Sequence, residues 1–286
     1  MTLIPMKEML ADARKKKYGI GSFDAFEYVV AESILTAAEE TRTPVILAVP
    51  GYVCDMPGKD RFFSYILDAS KTSPVPVCLL LDHGTYDQVV KFIHFGFSAV
   101  MIDASALPYE QNVEITRKVV GMAKVCGISV EAEIGHIPFM EGSVETGHDA
   151  YESGFTEPEV AARFVHDTGV DALAVAIGTV HGLYRSKPNL DLERLRKISG
   201  SVDIPLVMHG GTGVGADGFK AAIANGISKV NIATDLSLTG VHAIEKLVEE
   251  RKGNIYFYQM QDAARQSIID CVKNHIQIFG TPAIQS

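Results

Sequence analysis

The segment Val75-Pro76-Val77-Cys78-Leu79-Leu80-Leu81-Asp82-His83-Gly84 decides the fold, because an apolar run in it ends at an acid, an imidazole and a glycine. Residues 75–81 have the length and composition of a strand that is buried on both faces, as strands of parallel sheets are. Two later apolar runs, residues 172–177 and 204–208, end in a similar way, at Gly178-Thr179-Val180-His181-Gly182 and at His209-Gly210-Gly211-Thr212-Gly213. Three strands are therefore predicted to carry a histidine beside glycine at their carboxyl ends.

Strands and helices are predicted to alternate along the whole chain. Amphipathic segments separate eight apolar or alternating runs, which lie at residues 18–23, 45–49, 75–81, 98–102, 128–134, 172–177, 204–208 and 228–232. A ninth amphipathic segment follows at residues 261–279. Regular units without a linker-like break predict one α/β domain over residues 1–286, a (β/α)8 TIM barrel with an additional C-terminal helix. A doubly wound open sheet is the alternative, but no G-x-G-x-x-G sequence opens a helix to favour it.

Composition and charge argue against several classes of function. The chain has 26 basic and 35 acidic residues, a net charge of −9, and no basic run, so neither nucleic acid nor a membrane is expected as a partner. The N-terminus lacks a signal-peptide pattern and no run approaches about 20 apolar residues, which favours a cytoplasmic location. Four cysteines without C-x-x-C spacing predict reduced thiols, and Cys78 and Cys126 are expected in or near the core.

Several polar side chains are predicted to meet at one end of the barrel. Carboxyl ends of barrel strands open onto the same face. The polar residues at those ends would therefore converge, namely Asp82, His83, Asp103, Glu133, His181, His209 and Asn231. A single histidine beside glycine is usually a loop residue, but three at equivalent positions make that explanation weak. Three imidazoles with a nearby carboxylate suit Zn²⁺. Asp82, next to His83, is placed either for general acid/base catalysis or for supporting the metal.

The fifth strand and the loops near it carry further signals. Its alternation sends Glu131 and Glu133 to one face, where they either form buried salt bridges or approach the metal, and Glu133 is favoured for the metal because it lies nearer the strand end. Residues 135–156 form a long loop without apolar periodicity, which is typical of a functional loop. Glycine-rich turns at residues 210–212 and the segment 231–234 can present N–H groups to an anion, although turns that merely require glycine explain them nearly as well.

Six segments together carry a resemblance to a known family. They are Leu81-Asp82-His83-Gly84, Met101-Ile102-Asp103-Ala104-Ser105, Val130-Glu131-Ala132-Glu133-Ile134-Gly135, Ala174-Val175-Ala176-Ile177-Gly178-Thr179-Val180-His181-Gly182, His209-Gly210-Gly211-Thr212-Gly213 and Val230-Asn231-Ile232-Ala233-Thr234. In this order, over nearly the whole chain, they resemble the class II, zinc-dependent ketose-bisphosphate aldolases. The branch that they resemble contains the fructose- and tagatose-bisphosphate aldolases.

The resemblance implies a role for each motif. It implies that His83, His181 and His209 hold Zn²⁺, with Glu133 as an alternate ligand. Asp82 would take the C4 hydroxyl proton in cleavage and return it in condensation. Loop residue Glu141 would be a second catalytic residue, and a monovalent cation, Na⁺ or K⁺, would lie nearby. The segment for dihydroxyacetone phosphate would comprise Gly182, Gly210, Gly211, Thr212, Asn231, Ile232, Ala233 and Thr234.

The expected function is therefore that of a lyase of carbohydrate metabolism and glycolysis, acting on a phosphorylated sugar. It would cleave a ketose 1,6-bisphosphate of the fructose or tagatose type, reversibly, to dihydroxyacetone phosphate and an aldehyde. Breaking the C3–C4 bond leaves an enediolate, whose charge Zn²⁺ stabilises as a Lewis acid. The family also implies a homodimer or homotetramer.

Three departures from the family pattern concern the aldehyde half of the substrate. Phe23-Asp24 stands where the family usually has Phe-Asn, and Val49-Pro50-Gly51 where a small polar residue is common. The long loop opens with Gly135-His136-Ile137-Pro138-Phe139-Met140-Glu141 instead of Gly-x-x-Gly-Gly, which predicts a stiffer loop. Two alternatives follow, the same lyase chemistry on a ketose 1-phosphate with a non-phosphorylated or modified aldehyde half, and a non-catalytic protein that binds sugar phosphate or metal.

Overall fold

Eight parallel strands form a closed barrel in the computed structural model, which describes residues 3–135, 137, 154–182 and 188–284. The strands are β1 (Ile20–Asp24), β2 (Val45–Pro50), β3 (Val77–Gly84), β4 (Ala99–Ile102), β5 (Ser129–Ile134), β6 (Ala172–Val175), β7 (Leu206–Met208) and β8 (Ile227–Ile232). Each strand pairs with the next, and β1 pairs with β8 from Ile20 opposite Lys229 to Phe23 opposite Ile232. The predicted (β/α)8 barrel is confirmed, and the open-sheet alternative is wrong because the first and last strands are hydrogen-bonded.

Helices surround the barrel and close one of its ends. They are α1 (Met6–Lys16), α2 (Tyr28–Thr41), α3 (Gly51–Cys54), α4 (Lys59–Thr72), α5 (Tyr86–Phe95), α6 (Tyr109–Val125), α7 (Pro158–Thr168), α8 (Leu192–Ser201), α9 (Gly215–Ala224), α10 (Thr234–Glu250) and α11 (Phe257–Phe279). The C-terminal helix α11 is confirmed, although it begins at Phe257 rather than at residue 261, and it packs against α10 and α2. Among the described residues, no helix has the length and apolarity needed to cross a membrane.

Helix α1, which the alternation of strands and helices did not predict, covers the amino-terminal end of the barrel. Its buried side chains Met6, Met9 and Leu10 form one apolar cluster with inward-facing strand residues such as Ile46 and Cys78. A second, larger cluster lies between the barrel and the outer helices. Because α1 and the first cluster fill the amino-terminal half of the barrel interior, the face at the carboxyl ends of the strands is left for polar side chains.

One prediction about the core is wrong. Cys78 is buried in β3 as expected, but Cys126 is exposed because it caps the C-terminus of α6 at the protein surface. All four thiols are free, as the spacing of the cysteines predicts.

Candidate metal and catalytic site

His83, His181 and His209 converge at the carboxyl end of the barrel, as predicted. The ring centroids of His83 and His209 are 4.7 Å apart, those of His83 and His181 5.0 Å, and those of His181 and His209 5.7 Å. One nitrogen from each ring lies within 4.8 Å of the others. Since His209 is fully buried and the other two are partly so, the three imidazoles form a compact cluster at the barrel mouth.

The end of β3 turns sharply, so that Asp82 and His83 both face this cluster. Strict alternation would send neighbouring side chains to opposite faces. Here His83 adopts a left-handed backbone with φ of 46°, and the register between β3 and β4 shifts between Leu81 and Gly84. As a result, Asp82 Oδ2 lies 3.9 Å from His83 Nε2. A residue other than glycine with positive φ is uncommon and is often found at functional sites.

Gly51, one of the departures from the family pattern, makes room for this turn. A Cβ atom at position 51 would lie 2.4 Å from the carbonyl oxygen of His83. No real Cβ atom approaches so closely, so the first residue of α3 has to be glycine for the end of β3 to keep its position.

Hydrogen bonds fix which nitrogens of the cluster face one another. His83 Nδ1 lies 2.7 Å from Asp103 Oδ2 and His209 Nε2 lies 2.8 Å from Glu131 Oε1, so each donates an N–H to a carboxylate. The opposite nitrogens, His83 Nε2 and His209 Nδ1, then face each other at 2.9 Å. A carboxylate behind an imidazole is the usual support of a metal-binding histidine, because it orients the ring and increases its basicity.

The electrostatics of the cluster differ from one ring to the next, and only His83 is favoured in its charged form. Burial opposes charging of His83, but the Asp82 charge and the hydrogen bond to Asp103 raise its pKa to about 10. Burial and the neighbouring imidazoles lower the pKa of His181 to about 3, and burial with the charge of His83 lowers that of His209. Burial raises the pKa of the Glu133 carboxyl to about 8, although the charge of His83 opposes this rise.

These residues fit a divalent cation. Asp82 Oδ1 and Glu133 Oε2 are buried oxygens without a hydrogen-bond partner among the described residues, and Glu133 Oε2 lies 3.6 Å from His209 Nδ1. Buried carboxylate oxygens of this kind are costly unless a cation or a donor satisfies them. The donor set of imidazole nitrogens with carboxylates in reserve is typical of a zinc-like metal site.

The two glutamates of β5 have different surroundings. Glu131 forms a buried salt bridge, with its Oε2 2.9 Å from Lys229 Nζ, as one of the two predicted alternatives requires. Glu133 instead lies on the side of the histidine nitrogens that face each other, in line with the preference for Glu133 near the metal.

Lys229 is a site residue that sequence reasoning missed. It lies in β8, is fully buried, and donates to Glu131 Oε1 at 3.0 Å and to Asn231 Oδ1 at 2.7 Å. Asn231 in turn donates through Nδ2 to Asp82 Oδ2 at 3.0 Å. The available signal was a lysine inside an otherwise apolar strand, which requires a buried partner such as the glutamates of β5.

The residues expected to bind dihydroxyacetone phosphate lie beside the cluster. Gly210 has φ of 66°, and a Cβ atom there would lie 2.2 Å from the carbonyl oxygen of Val180, so glycine brings the loops after β6 and β7 together. Ile232 is buried in the apolar core, which leaves only its backbone for a ligand. The remaining predicted residues of the segment have the following surroundings: Gly182 has φ of 89°, Gly211 lies against the carbonyl oxygen of Asn231, Thr212 and Asn231 are buried, and Ala233 and Thr234 form the start of α10.

The start of α10 offers a site for an anion. The helix has 17 residues, and its N-cap residue Ala233 makes no side-chain capping hydrogen bond. Backbone N–H groups of a first helical turn have no partner within the helix and attract anions such as phosphate.

The predicted catalytic residue Glu141, together with His136, Pro138 and Phe139, lies outside the described residues.

The fold and the cluster define a class of protein, a (β/α)8 barrel with a histidine cluster suited to a metal ion at the carboxyl ends of its strands. A family model described as "Fructose-bisphosphate aldolase class-II" matches residues 4–283. A fructose-bisphosphate aldolase of Staphylococcus epidermidis is 35% identical over 291 residues, covering 98% of each chain. The sulfofructosephosphate aldolase of Alkalicoccus urumqiensis is 36% identical over 282 residues, also covering 98% of each chain.

A solved structure agrees with these sequence relatives. The YdjI aldolase from Escherichia coli K12 superposes with a TM-score of 0.86, at 30% sequence identity and with 98% of each chain covered. The chain therefore belongs to the class II fructose-bisphosphate aldolase family, and it is an enzyme of the lyase class.

Proposed function

We propose that this protein is a zinc-dependent aldolase that reversibly cleaves a ketose 1,6-bisphosphate to dihydroxyacetone phosphate and an aldehyde. The observation that carries the proposal is the position of Asp82, which lies against the histidine cluster while Asn231 holds one of its oxygens. An aldolase needs a proton acceptor for the C4 hydroxyl and a positive charge near the C2 carbonyl. Asp82 would be the proton acceptor, and the histidine cluster would hold the cation that provides the positive charge.

Each group in the site has a role in this reaction. His83, His181 and His209 would hold Zn²⁺, with Glu133 as an alternate ligand, and bound Zn²⁺ supplies a Lewis acid that stabilises the enediolate charge. Asp82 would accept the proton of the C4 hydroxyl through Oδ1, the oxygen that Asn231 does not hold, and return it in condensation. The first turn of α10 would bind the phosphate of dihydroxyacetone phosphate.

The direct test is an assay of dihydroxyacetone phosphate release. Fructose and tagatose 1,6-bisphosphates and their 1-monophosphates would be compared, each with and without a chelator and after re-addition of Zn²⁺. We expect release that the chelator abolishes and Zn²⁺ restores. Release that persists in the chelator would exclude metal-dependent cleavage, and zinc binding without release from any sugar would favour the non-catalytic alternative.

Asp24 favours a second candidate, the same chemistry on a ketose 1-phosphate whose aldehyde half carries no phosphate. Asp24 ends β1, is 6% exposed, and its Oδ1 is buried without a hydrogen-bond partner among the described residues. Burial and the charge of Asp82 raise the pKa of its carboxyl well above the usual range. The ionised form of this carboxyl would repel a second phosphate, and the raised pKa confines that form to higher pH. The relative named for sulfofructosephosphate supports a family that acts on more than one ketose phosphate.

The variant Asp24→Asn separates the two candidates. If Asp24 disfavours a second phosphate, the ratio of kcat/KM for the 1,6-bisphosphate to that for the 1-phosphate should rise about 10-fold at a pH high enough to ionise Asp24, the change expected from removing one buried repulsive interaction. Asp68→Asn, an exposed residue on α4, is the control for removing a negative charge elsewhere. An unchanged ratio would mean that Asp24 does not select against a second phosphate, and the wild-type ratio alone would then decide between the two candidates.

A further inference from the structure

A continuous chain of polar side chains crosses the interior of the barrel from the histidine cluster to Asp82. It runs from His209 to Glu131, Lys229, Asn231 and Asp82, through contacts of 2.8, 3.0, 2.7 and 3.0 Å. Its members lie in β5, β8 and β3, and His209 directly follows β7. Barrel interiors are usually filled by branched apolar side chains, so a chain of charged and amide groups here calls for a specific explanation.

The centre of this chain is an ion pair that stability alone does not explain. Lys229 and Glu131 both have fully buried side chains, with 0% exposure. Removing two charges from water costs several kcal/mol per ion, and apolar replacements of similar volume are often neutral or stabilising. The pair therefore has to be justified by what it orients, at Glu131 on one side and at Asn231 on the other.

The chemistry of lysine fixes the orientation of the Asn231 amide. An ammonium group can only donate hydrogen bonds, so the Asn231 atom that faces Lys229 Nζ must be the carbonyl oxygen Oδ1. The NH₂ group then points to Asp82 and donates to its Oδ2. With the amide turned over, Asn231 would present an oxygen to the Asp82 carboxylate, and the two acceptors would repel each other.

We propose that Lys229 is a positioning residue for the aldolase reaction, which sets the orientation of Asp82 by fixing the amide of Asn231. The inference rests on the proposed role of Asp82 as the group that moves the C4 proton. With Oδ2 of Asp82 held by Asn231, Oδ1 is left to meet the substrate. The same ammonium neutralises Glu131, which accepts a hydrogen bond from His209, so a single buried cation supports both ends of the site.

The test removes the ion pair without leaving a buried charge unpaired. In the variant Lys229→Met/Glu131→Gln, both replacements keep the side-chain length, and glutamine keeps an acceptor for the N–H of His209. We expect this variant to fold, to bind one metal ion per chain, and to show a kcat lower by about 10- to 100-fold with little change in KM, as expected for loss of a charge-assisted orienting contact. The surface pair Lys246→Met/Glu250→Gln on α10 is the matched control and should keep full activity.

A double-mutant cycle shows whether the effect passes through Asn231. Asn231→Ala is combined with the pair variant, and kcat is measured for the wild type, each variant and the combination. If Lys229 acts through Asn231, the combination should be no slower than Asn231→Ala alone. Metal content and thermal unfolding are measured on the same samples. A purely structural role of Lys229 would change both quantities, and the losses of kcat in the pair variant and in Asn231→Ala would then multiply.

The outcomes separate this inference from the proposed function. Multiplying losses, an unchanged kcat in the pair variant, or loss of folding or of metal in that variant would each overturn the positioning role while wild-type turnover stands. If the wild type releases no dihydroxyacetone phosphate, the proposed function fails first. A combined variant as active as Asn231→Ala, with full metal content, would support the inference.

Discussion

At the scale of single residues, the site depends on a backbone distortion at His83. A histidine with φ of 46° is energetically unfavourable, and the register shift beside it interrupts the pairing of β3 with β4. In return, two consecutive residues, Asp82 and His83, face the same space. The sequence places both at a strand end, but it does not show how neighbours can share a face, because that depends on the turn and on the glycine at position 51.

The contact between Asp103 and His83 leads to a prediction about metal affinity. In Asp103→Asn the ring of His83 keeps a hydrogen-bond acceptor but loses a charged one, so its basicity should fall. Replacement of such a supporting group typically costs about 10- to 100-fold in metal affinity or activity, and we expect a loss of that size. Competition with a chromogenic chelator measures the affinity.

Asp87→Asn, on the exposed first turn of α5, is the matched control, because it removes the same charge away from the cluster. If Asp103→Asn holds the metal as tightly as this control does, then the 2.7 Å contact does not support the metal site.

Sequence reasoning brought the histidines and Asp103 to the same end of the barrel, but it did not predict which side chain supports which. His83, His181 and His209 follow apolar strands, so topology alone predicts their convergence. The contacts of Asp103 and Lys229 run between different strands, through space. No spacing in the sequence reveals which carboxylate or amide such a side chain will meet, and Lys229 would have been noticed only by asking what a lysine does in a buried strand.

At the scale of elements, His275 links α11 to the start of α10. Its Nδ1 donates to the carbonyl oxygen of Cys271 at 3.0 Å, and its Nε2 lies 3.4 Å from Asp235 Oδ2. The ring also packs edge-on against Phe23 and Phe219. Because both ring nitrogens face acceptors, the doubly protonated imidazolium is the form that suits this position.

This link predicts a pH-dependent stability. Burial opposes the charge of His275, but the hydrogen bonds to Asp235 and Cys271 raise its pKa to about 9 from 6.5. A pKa that is raised in the folded state contributes stability that is fully present below about pH 6.5 and is lost as the pH rises through about 9. The shift corresponds to about 3 kcal/mol.

The measurement is the difference in the free energy of unfolding between the wild type and His275→Gln, at pH 6 and pH 9.5. We expect the advantage of the wild type to shrink by about 3 kcal/mol over this range. His242→Gln, at an exposed position on α10, should show no such change. An advantage that stays constant with pH would mean that His275 contributes packing alone.

The elements were predicted well where their apolar pattern was regular, and less well at the ends of the chain. Met6, Met9, Leu10 and Ala13 have helical spacing and are the buried residues of α1, so the signal for this helix was present but lay outside the repeating alternation. The predicted start of α11 is too late because the first residues of the helix include Phe257 and Tyr258, which are exposed. Exposed aromatic residues do not fit the pattern of a buried helical stripe.

At the scale of the whole molecule, the histidine cluster forms only when the barrel is closed. His83 and His209 are 126 residues apart in the chain, and the three histidines follow three different strands. Bringing the three histidines together in an unfolded chain would cost much conformational entropy, whereas in the folded barrel their positions are already fixed. The repetition of strand and helix predicts the closed fold, but the identity of the sugar depends on the chemistry of a few residues, such as Asp24, that repetition does not describe.

Metal binding should therefore stabilise the entire barrel. A ligand that binds only the folded state at a concentration of about 100 times its Kd adds about 2.7 kcal/mol to the free energy of unfolding. For a chain of this size we expect a Tm about 5 °C or more higher with Zn²⁺ than after treatment with a chelator, as measured by calorimetry. His181→Ala is the control, since it removes one ligand without disturbing the hydrogen bonds of His83 and His209. An equal shift in that variant, or none in the wild type, would show that the three histidines do not act together to hold a metal, because a joint site must lose most of its linkage to folding when one ligand is removed.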